Sequence, residues 1–265
     1  MPTILDTILE HKRHEVSTAA QAIPLAEMRA RAAAALPPRS FAAALRPPGP
    51  PGDGPPRLIA EIKRKSPSQG AIATNVDVSQ LAASYERAGA AALSVLTDAR
   101  FFGGSLADLT AARAATSLPV LRKDFIIAPY QVHEARAAGA DAILVIVAAV
   151  PEVAGVAELI AEAHALGMAT LVEVHTQSEL TVAGQAGARI IGVNNRDLKT
   201  FDENLATTEL LAPLIPDEAI LVSESGVHTA ADVRRLARAG ADALLVGTSL
   251  LASGDPAAKV KELLA

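Results

Sequence analysis

Charged side chains that could transfer protons stand at or near the ends of apolar segments in this chain of 265 residues. Glu61 and Lys63 close the segment RLIAEIK, while Lys123 and Glu173 interrupt VLRKDF and ATLVEV. The polar sequence NNR, residues 194–196, follows another apolar segment. Lysine and carboxylate groups act as general acids and bases, and charged neighbours tune their pKa values. Burying several such charges together is unfavourable unless they pair or bind something, so their convergence would indicate a functional site.

Strand geometry predicts that these side chains face the same way. Side chains alternate along a strand, so residues two apart share a face. We expect the following inward faces: Ile59, Glu61 and Lys63; Leu121, Lys123 and Phe125; Leu171, Glu173 and His175; Asn194 and Arg196; and Ser223 and Ser225.

Two glycine-containing segments predict an anion site. SESG, residues 223–226, and VGTSL, residues 246–250, each end an apolar run. Glycine lets backbone N–H groups approach a ligand, and a following helix N-terminus favours negative charge. We therefore expect a phosphate ligand. The segment EIKRKSPSQG has two readings: a strand with a plain basic turn, or a strand that offers Lys63 to a phosphate or a reacting oxygen and Ser66 as a hydroxyl donor.

The aromatic and histidine residues give weaker signals. The segment FFGGS, which contains Phe101 and Phe102, fits either a turn with buried rings or an aromatic flap over a ligand ring. His11 and His14 are the one histidine pair with helical spacing, which is more typical of a helix surface than of a metal site. We expect no metal and no cofactor.

A repeat of helix and strand positions these residues. AGAAALSVLT, AGADAILVIV, AGARIIGVNN and AGADALLVGT each predict a helix that ends at glycine and a following buried strand. A further copy, LGMATLVEV, indicates a true period of about 25 residues. Eight apolar segments are strand candidates: RLIAEIK, ALSVLT, VLRKDF, AILVIV, ATLVEV, IIGVNN, ILVSES and ALLVGT. They alternate with predicted helices such as those at 105–116, 152–166 and 229–239. This pattern predicts an α/β protein, a (β/α)8 TIM barrel. The main rival is a doubly wound open sheet, which usually has fewer strands.

The first 56 residues predict a helical extension. Ile4, Leu5, Ile8 and Leu9 share one helical face, and an alanine-rich second helix is expected at 25–35. A Pro/Gly-rich run follows at 47–56, so we divide the chain into an extension, 1–56, and a barrel domain, 57–265. The extension is expected to cap the barrel rather than to fold alone.

Composition excludes several classes of protein. A net charge of −5 with 3% aromatic residues argues against nucleic-acid binding. There is no apolar run of about 18 residues to cross a membrane, and no apolar leader resembles a signal peptide. The absence of cysteine excludes disulfides and thiolate metal sites and fits a cytoplasmic location.

Seven ordered motifs resemble the indole-3-glycerol phosphate synthase family: IAEIKRKSPSQG, LTDARFFGGSL, VLRKDFII, LVEVHT, IGVNNRDL, LVSESGV and LLVGTSLL. The resemblance implies a (β/α)8 barrel of tryptophan biosynthesis. Such an enzyme converts 1-(2-carboxyphenylamino)-1-deoxyribulose 5-phosphate into indole-3-glycerol phosphate, CO₂ and water. The resemblance implies Lys123 as general acid on the ketone oxygen, and Glu173 as the group that assists proton loss or stabilises the cationic intermediate.

The remaining site residues also follow from the resemblance. It places Glu61, Lys63 and Asn194 around the reacting carbons, with Lys63 as a second acid and phosphate contact. Ser66 and Arg196 would hold the substrate, with its carboxylate as the natural partner. The implied apolar wall is Phe102, Phe125, Leu144 and Leu245. The implied phosphate cradle is Ser225, Gly226, Gly247 and Thr248.

Two other functions fit the sequence. One is a phosphosugar aldolase that forms a Schiff base on Lys123 or Lys63. The other is a catalytically silent barrel that binds a phosphorylated ligand as a scaffold subunit. We expect a cytoplasmic monomer or weak oligomer that associates with other tryptophan-pathway enzymes.

Overall fold

The computed structural model describes residues 3–47, 55–67, 70–71, 76–198 and 200–265. Within them, eight parallel strands form a closed barrel in which β1 pairs with both β2 and β8. The strands are β1 Arg57–Ile62, β2 Ala92–Leu96, β3 Val120–Lys123, β4 Ala142–Ile146, β5 Ala169–Val174, β6 Ile190–Asn194, β7 Ile220–Glu224 and β8 Ala243–Val246. The predicted (β/α)8 architecture is confirmed, and the open sheet is wrong because an open sheet has two unpaired edge strands.

Helices surround the barrel at the predicted places. Their bounds are α1 Ile4–Ala22, α2 Leu25–Ala34, α3 Phe41–Leu45, α4 Val78–Ala88, α5 Ala99–Phe102, α6 Leu106–Ala115, α7 Pro129–Ala137, α8 Val153–Ala165, α9 Gln177–Gln185, α10 Ala206–Leu211, α11 Ala230–Arg238, α12 Thr248–Leu251 and α13 Pro256–Leu264. The three helices predicted from periodicity are each one residue shorter at both ends. Gly89 ends α4 with a φ of 102°, a left-handed conformation that glycine adopts without strain.

The barrel has an inner and an outer apolar layer. Ile59, Leu121 and Leu171 pack inside with other strand residues, as the alternation predicts. On β7, however, Ile220 and Val222 belong to the inner layer. The next inward position on this strand is therefore residue 224.

The predicted inward orientation of Ser223 is wrong. Its hydroxyl accepts a 2.9 Å hydrogen bond from the Asn195 side chain and lies 2.8 Å from the Thr208 hydroxyl, outside the barrel. Ser225 does line the cavity described below, but it reaches it through a left-handed backbone with φ of 65°. That conformation breaks the two-residue alternation, so Glu224 and Ser225 both reach the interior.

The N-terminal helices contact both ends of the barrel. Phe41 and Leu45 of α3 join the inner core beside Ile59, close to the start of the strands. Helices α1 and α2 lie against the outer helices, where the Tyr130 hydroxyl donates to the carbonyl of Ala19 at 3.0 Å. The predicted α1 and α2 are confirmed. Most of the Pro/Gly-rich run lies outside the described residues.

A two-stranded hairpin follows β1 and pairs Lys65–Ser66 with Gly70–Ala71. In the part of the chain that the structure describes, every helix is too short or too polar to cross a membrane.

Candidate active site

A cavity of about 1220 Å³, counting the space at its open mouth, lies at the carboxyl ends of the strands. Every site residue predicted from the sequence lines it: Glu61, Lys63, Ser66, Phe102, Lys123, Phe125, Leu144, Glu173, Asn194, Arg196, Ser225, Gly226, Leu245, Gly247 and Thr248. The proximity of these residues is thus a feature of the structure, whereas their chemical roles remain predictions.

Lys123 lies between two buried carboxylates at the centre of this cavity. Its ammonium nitrogen is 3.1 Å from Glu173 Oε2 and 3.4 Å from Glu224 Oε2. Burial disfavours the ammonium, but the carboxyl groups around it, Glu173 first and Glu224 where it is ionised, outweigh burial and raise the pKa of Lys123. Lys123 therefore carries its proton at neutral pH.

Glu173 is held in its ionised form. Burial raises the pKa of this carboxyl. The positive charges of Lys123 and His175 and a hydrogen bond from Asn194 lower it by more, so the pKa of Glu173 lies below its ordinary value. Asn194 Nδ2 donates to Glu173 Oε1 at 3.1 Å, and the Arg196 amide donates to Asn194 Oδ1 at 3.0 Å. This chain of contacts fixes the orientation of the carboxylate.

His175 follows the end of β5 and lies beside Glu173, but it is not among the residues that line the cavity. Its Nε2 lies 3.5 Å from Glu173 Oε1, and its Nδ1 lies 3.1 Å from Glu179 Oε2. Burial lowers the pKa of His175, but the hydrogen bond to Glu179 and the charge of Glu173 raise it overall.

Glu224 is a site residue that the motif interpretation missed. It is 1% exposed, and neither carboxylate oxygen accepts a well-aligned hydrogen bond. Burial and the neighbouring carboxylates Glu173 and Glu61 raise its pKa to about 8, against the opposing attraction of Lys123. Alternation along β7 predicts Glu224 as an inward residue when Ile220 is taken as inward, because Ile220, Val222 and Glu224 then share one face.

Two glycines leave room for the buried carboxylates. A Cβ atom on Gly192 would overlap Glu224 Oε1, and one on Gly247 would overlap Glu61 Oε1. Real Cβ atoms do not approach other atoms so closely, so a side chain at either position would force the neighbouring carboxyl group to move. Glu61 also forms a 2.8 Å ion pair with Lys63 Nζ.

The rim next to β6 holds the predicted arginine in an ion pair. Arg196 pairs with Glu203 and donates to the Phe201 carbonyl at 3.1 Å. His228 Nε2 approaches the other Glu203 oxygen at 3.3 Å. Arg196 thus presents a cation to the cavity while a carboxylate balances its charge.

Aromatic and aliphatic side chains form an apolar wall of the cavity. The rings of Phe102 and Phe125 lie 6.1 Å apart at an angle of 41°. Phe102 ends α5 and lines the cavity. Of the two readings of FFGGS, a simple turn with buried rings therefore does not describe Phe102. Helix α1 supplies Ile4, Leu5 and Ile8 to the same cavity, a contribution that the strand motifs did not predict.

The loops after β7 and β8 are the predicted anion site, and both line the cavity. Ser225 and Gly226 adopt φ angles of 65° and 78°. Gly247 is the N-cap of α12, whose first turn receives no side-chain cap. Exposed N–H groups at such a position favour a negatively charged ligand.

The fold and cavity define a class of protein, a (β/α)8 barrel with lysine and carboxyl side chains gathered at the carboxyl ends of its strands. The family description "Indole-3-glycerol phosphate synthase" matches residues 5–263. The protein so named from Roseiflexus sp. (strain RS-1) is 53% identical, over 99% of this chain and 98% of its own. The one from Rhodococcus jostii (strain RHA1) is 50% identical, over 98% and 94%.

The chain therefore belongs to the indole-3-glycerol phosphate synthase family, the carboxy-lyases that form indole-3-glycerol phosphate in tryptophan biosynthesis. Solved structures support the fold alone. The 3-hexulose-6-phosphate synthase of Salmonella typhimurium has a TM-score of 0.63 at 15% identity, over 78% of this chain and 96% of its own. The N-acetylmannosamine-6-phosphate 2-epimerase of Clostridium perfringens has a TM-score of 0.57 at 15% identity, over 73% and 86%.

Proposed function

We propose that this cavity closes, decarboxylates and dehydrates 1-(2-carboxyphenylamino)-1-deoxyribulose 5-phosphate, with Lys123 as the central acid. The observation that supports this most strongly is the contact of Lys123 with Glu173 and Glu224 beside an aromatic wall. Ring closure needs a proton donor at the ketone oxygen that the aromatic carbon attacks. Lys123 is protonated at neutral pH because its carboxylate neighbours raise its pKa.

Decarboxylation follows from orientation more than from further proton transfer. Loss of CO₂ restores the aromaticity of the ring that was broken by closure. Holding the flexible substrate folded, with the ring against the ketone carbon, is the main task, and such positioning supplies a large part of an enzymatic rate.

Dehydration needs an acid for the departing hydroxyl and a base for the proton that leaves. We assign the base to Glu173, whose lowered pKa keeps it ionised, and we expect it also to stabilise the cationic intermediate. Lys63, paired with Glu61, is the second acid. Glu224, with a pKa of about 8, is protonated at neutral pH and can return a proton to this group of residues.

Two cations and the glycine loops are proposed to hold the substrate anions. The phosphate would bind the N–H groups of residues 225–226 and 247–248, with Lys63 as an additional contact. Arg196 and Ser66 would hold the carboxylate of the aromatic ring. The ring itself would lie against Phe102 and Phe125, with Leu144 and Leu245 completing the wall.

The charge state of Lys123 argues against a Schiff-base aldolase. Schiff-base formation requires a neutral amine, whereas the adjacent carboxylates raise the pKa of Lys123 and keep it protonated. We expect borohydride to trap no adduct on this lysine in the presence of a ketone substrate.

Turnover by the Lys123→Met variant tests the proposal. The chain has no tryptophan and two tyrosines, so an indole product fluoresces over a nearly dark protein. Loss of a general acid lowers kcat by about 10²-fold or more. The matched control, Lys259→Met, removes an ammonium that pairs with Glu262 on α13 and should leave turnover unchanged. Turnover retained by Lys123→Met would exclude Lys123 as the acid.

We also propose that residues 57–265 form the catalytic domain and residues 1–56 its extension. We expect the protein to act in the cytoplasm as a monomer or weak oligomer and to associate with other tryptophan-pathway enzymes. Sedimentation equilibrium should give the mass of one chain at low concentration. A concentration-independent dimer would contradict this.

A further inference from the structure

Lys12 of α1 is a buried cation that the proposed chemistry does not use. Its side chain is 0% exposed, and its nitrogen lies 3.0 Å from Asp98 Oδ2 and 2.9 Å from Asp124 Oδ1. Glu15 of the same helix completes the set at 3.0 Å. Burial lowers the pKa of Lys12, but Asp124, Asp98 and Glu15 raise it overall. The helical extension thus places a full positive charge between two strand-end loops of the barrel.

Both carboxylates that Lys12 joins also hold the backbone of the aromatic wall. Asp98 Oδ1 accepts hydrogen bonds from the amides of Phe101 at 2.6 Å and Phe102 at 3.3 Å. Asp124 Oδ1, the oxygen that contacts Lys12, accepts the amide of Phe125 at 2.8 Å. Phe102 and Phe125 are therefore each hydrogen-bonded through the backbone amide to a carboxylate that contacts Lys12.

The other side of Asp124 is fixed to the barrel. Its Oδ2 accepts from the Thr97 hydroxyl at 2.5 Å and from the buried guanidinium of Arg122 at 3.0 Å. Helix α1 contacts the loop after β2 at a second point, where the ring of His11 packs edge-on against Phe101 with ring centroids 5.8 Å apart. Lys12 adds a charged connection between Asp98 of the β2 loop and Asp124 at the end of β3, next to the hydrogen bond from Thr97 to Asp124.

We propose that Lys12 is a positioning residue that sets the separation of Phe102 and Phe125 and thereby the affinity of the cavity for an aromatic ring. This role rests on the proposed function, in which these two residues contact the ring of the substrate. It assigns to the N-terminal extension a part in substrate selection: the extension controls the aromatic end of the cavity, while the loops after β7 and β8 control the phosphate end.

Two inhibitors that occupy opposite ends of the cavity test this role. The variant is Lys12→Met, which keeps the length of the side chain and removes its charge. Arg13→Met, an exposed cation one residue away on the same helix, is the matched control. We would measure inhibition of turnover by 2-aminobenzoate, which carries the ring, and by inorganic phosphate, which does not.

We expect Lys12→Met to weaken inhibition by 2-aminobenzoate about fivefold, the equivalent of one aromatic contact, and to leave inhibition by phosphate unchanged. KM for the substrate should rise more than kcat falls. Arg13→Met should match the wild type. Equal weakening of inhibition by both compounds would show that Lys12 has a structural role only. Unchanged inhibition by both would show that the ion pairs of Lys12 do not affect binding in the cavity. Either result would overturn the proposal.

A second variant keeps the test decisive if Lys12→Met does not fold. Asp98→Asn retains an oxygen for the amides of Phe101 and Phe102 but removes the charge that attracts Lys12. It should show the same selective loss of 2-aminobenzoate inhibition, and an unchanged inhibition constant would reject the role of Lys12. Failure of 2-aminobenzoate to inhibit the wild type would instead reject the proposed binding of the ring, and the role of Lys12 with it.

Discussion

Glu224 shows how a residue's neighbours decide its protonation. Three carboxylates, Glu61, Glu173 and Glu224, share one cavity with Lys123 and Lys63. Glu173 has Lys123 and Asn194 as close partners and stays ionised, whereas Glu224, which is buried to the same extent, has poorer hydrogen bonding and takes up a proton. Two carboxyl groups with pKa values displaced in opposite directions are typical of an acid–base site.

Replacement of Glu224 should stabilise the protein, and more so at high pH. The folded-state pKa of Glu224, about 8, lies above its ordinary value of 4.5. A carboxyl with a raised folded pKa makes the fold lose stability as pH rises from the ordinary value to the raised one. Glu224→Gln cannot ionise and avoids this loss.

Thermal denaturation at about pH 5 and about pH 9 tests this linkage. The gain in Tm of Glu224→Gln over the wild type should be larger at the higher pH, and kcat should fall. A gain that shrinks as pH rises would mean that Glu224 is ionised in the folded protein over this range.

At the scale of elements, β6 and β7 pack together at a glycine, Gly192 of β6, which leaves room for a side chain of β7. The register pairs Gly192 with Val222 and Asn194 with Glu224, and the missing side chain of Gly192 gives Glu224 its space. The element pattern was predictable from sequence because the helix–strand repeat and its glycines are local signals. The orientation of Ser225 was not, since its positive φ is stabilised by contacts that are distant in the chain, including a hydrogen bond from Asn195 to its carbonyl.

Gly192→Ala should lower both stability and activity, because its Cβ would overlap Glu224 Oε1 and displace that carboxyl group from its position beside Lys123. We expect a lower Tm and at least about a tenfold loss of kcat, the equivalent of about 1.4 kcal/mol.

Gly184→Ala is the control for this substitution. Gly184 lies within α9, and nothing is within 4 Å of the position of its Cβ. Alanine is the better helix former, so this variant should be as stable as the wild type or more stable. A Gly192→Ala enzyme as active as Gly184→Ala would show that the packing around Glu224 is loose.

At the scale of the whole molecule, the N-terminal segment contacts both ends of the barrel. Helix α3 packs near the start of the strands, and α1 lies over the cavity at their carboxyl ends. The sequence predicted a helical cap but not which side chains it contributes. Lys12 was not predicted to be buried. It follows Ile8 and Leu9 on the buried face of α1, but nothing in the local sequence indicates the two distant aspartates that pair with it.

Inorganic phosphate should stabilise the folded protein, because a ligand that binds only the folded state shifts the unfolding equilibrium. At about 100 times its Kd the expected gain is about 2.7 kcal/mol, observed as a higher Tm. Potassium chloride at equal ionic strength is the control and should give a smaller shift. An equal effect of both salts would argue against a phosphate cradle at the loops after β7 and β8.

The most direct test of the site as a whole is a crystal structure of Lys123→Met with 1-(2-carboxyphenylamino)-1-deoxyribulose 5-phosphate bound. We predict the phosphate at the N–H groups of residues 225–226 and 247–248, the ring against Phe102 and Phe125, and the ketone oxygen beside residue 123. A substrate bound in the reverse direction, or outside this cavity, would contradict the assignment of Lys123 and of both binding ends.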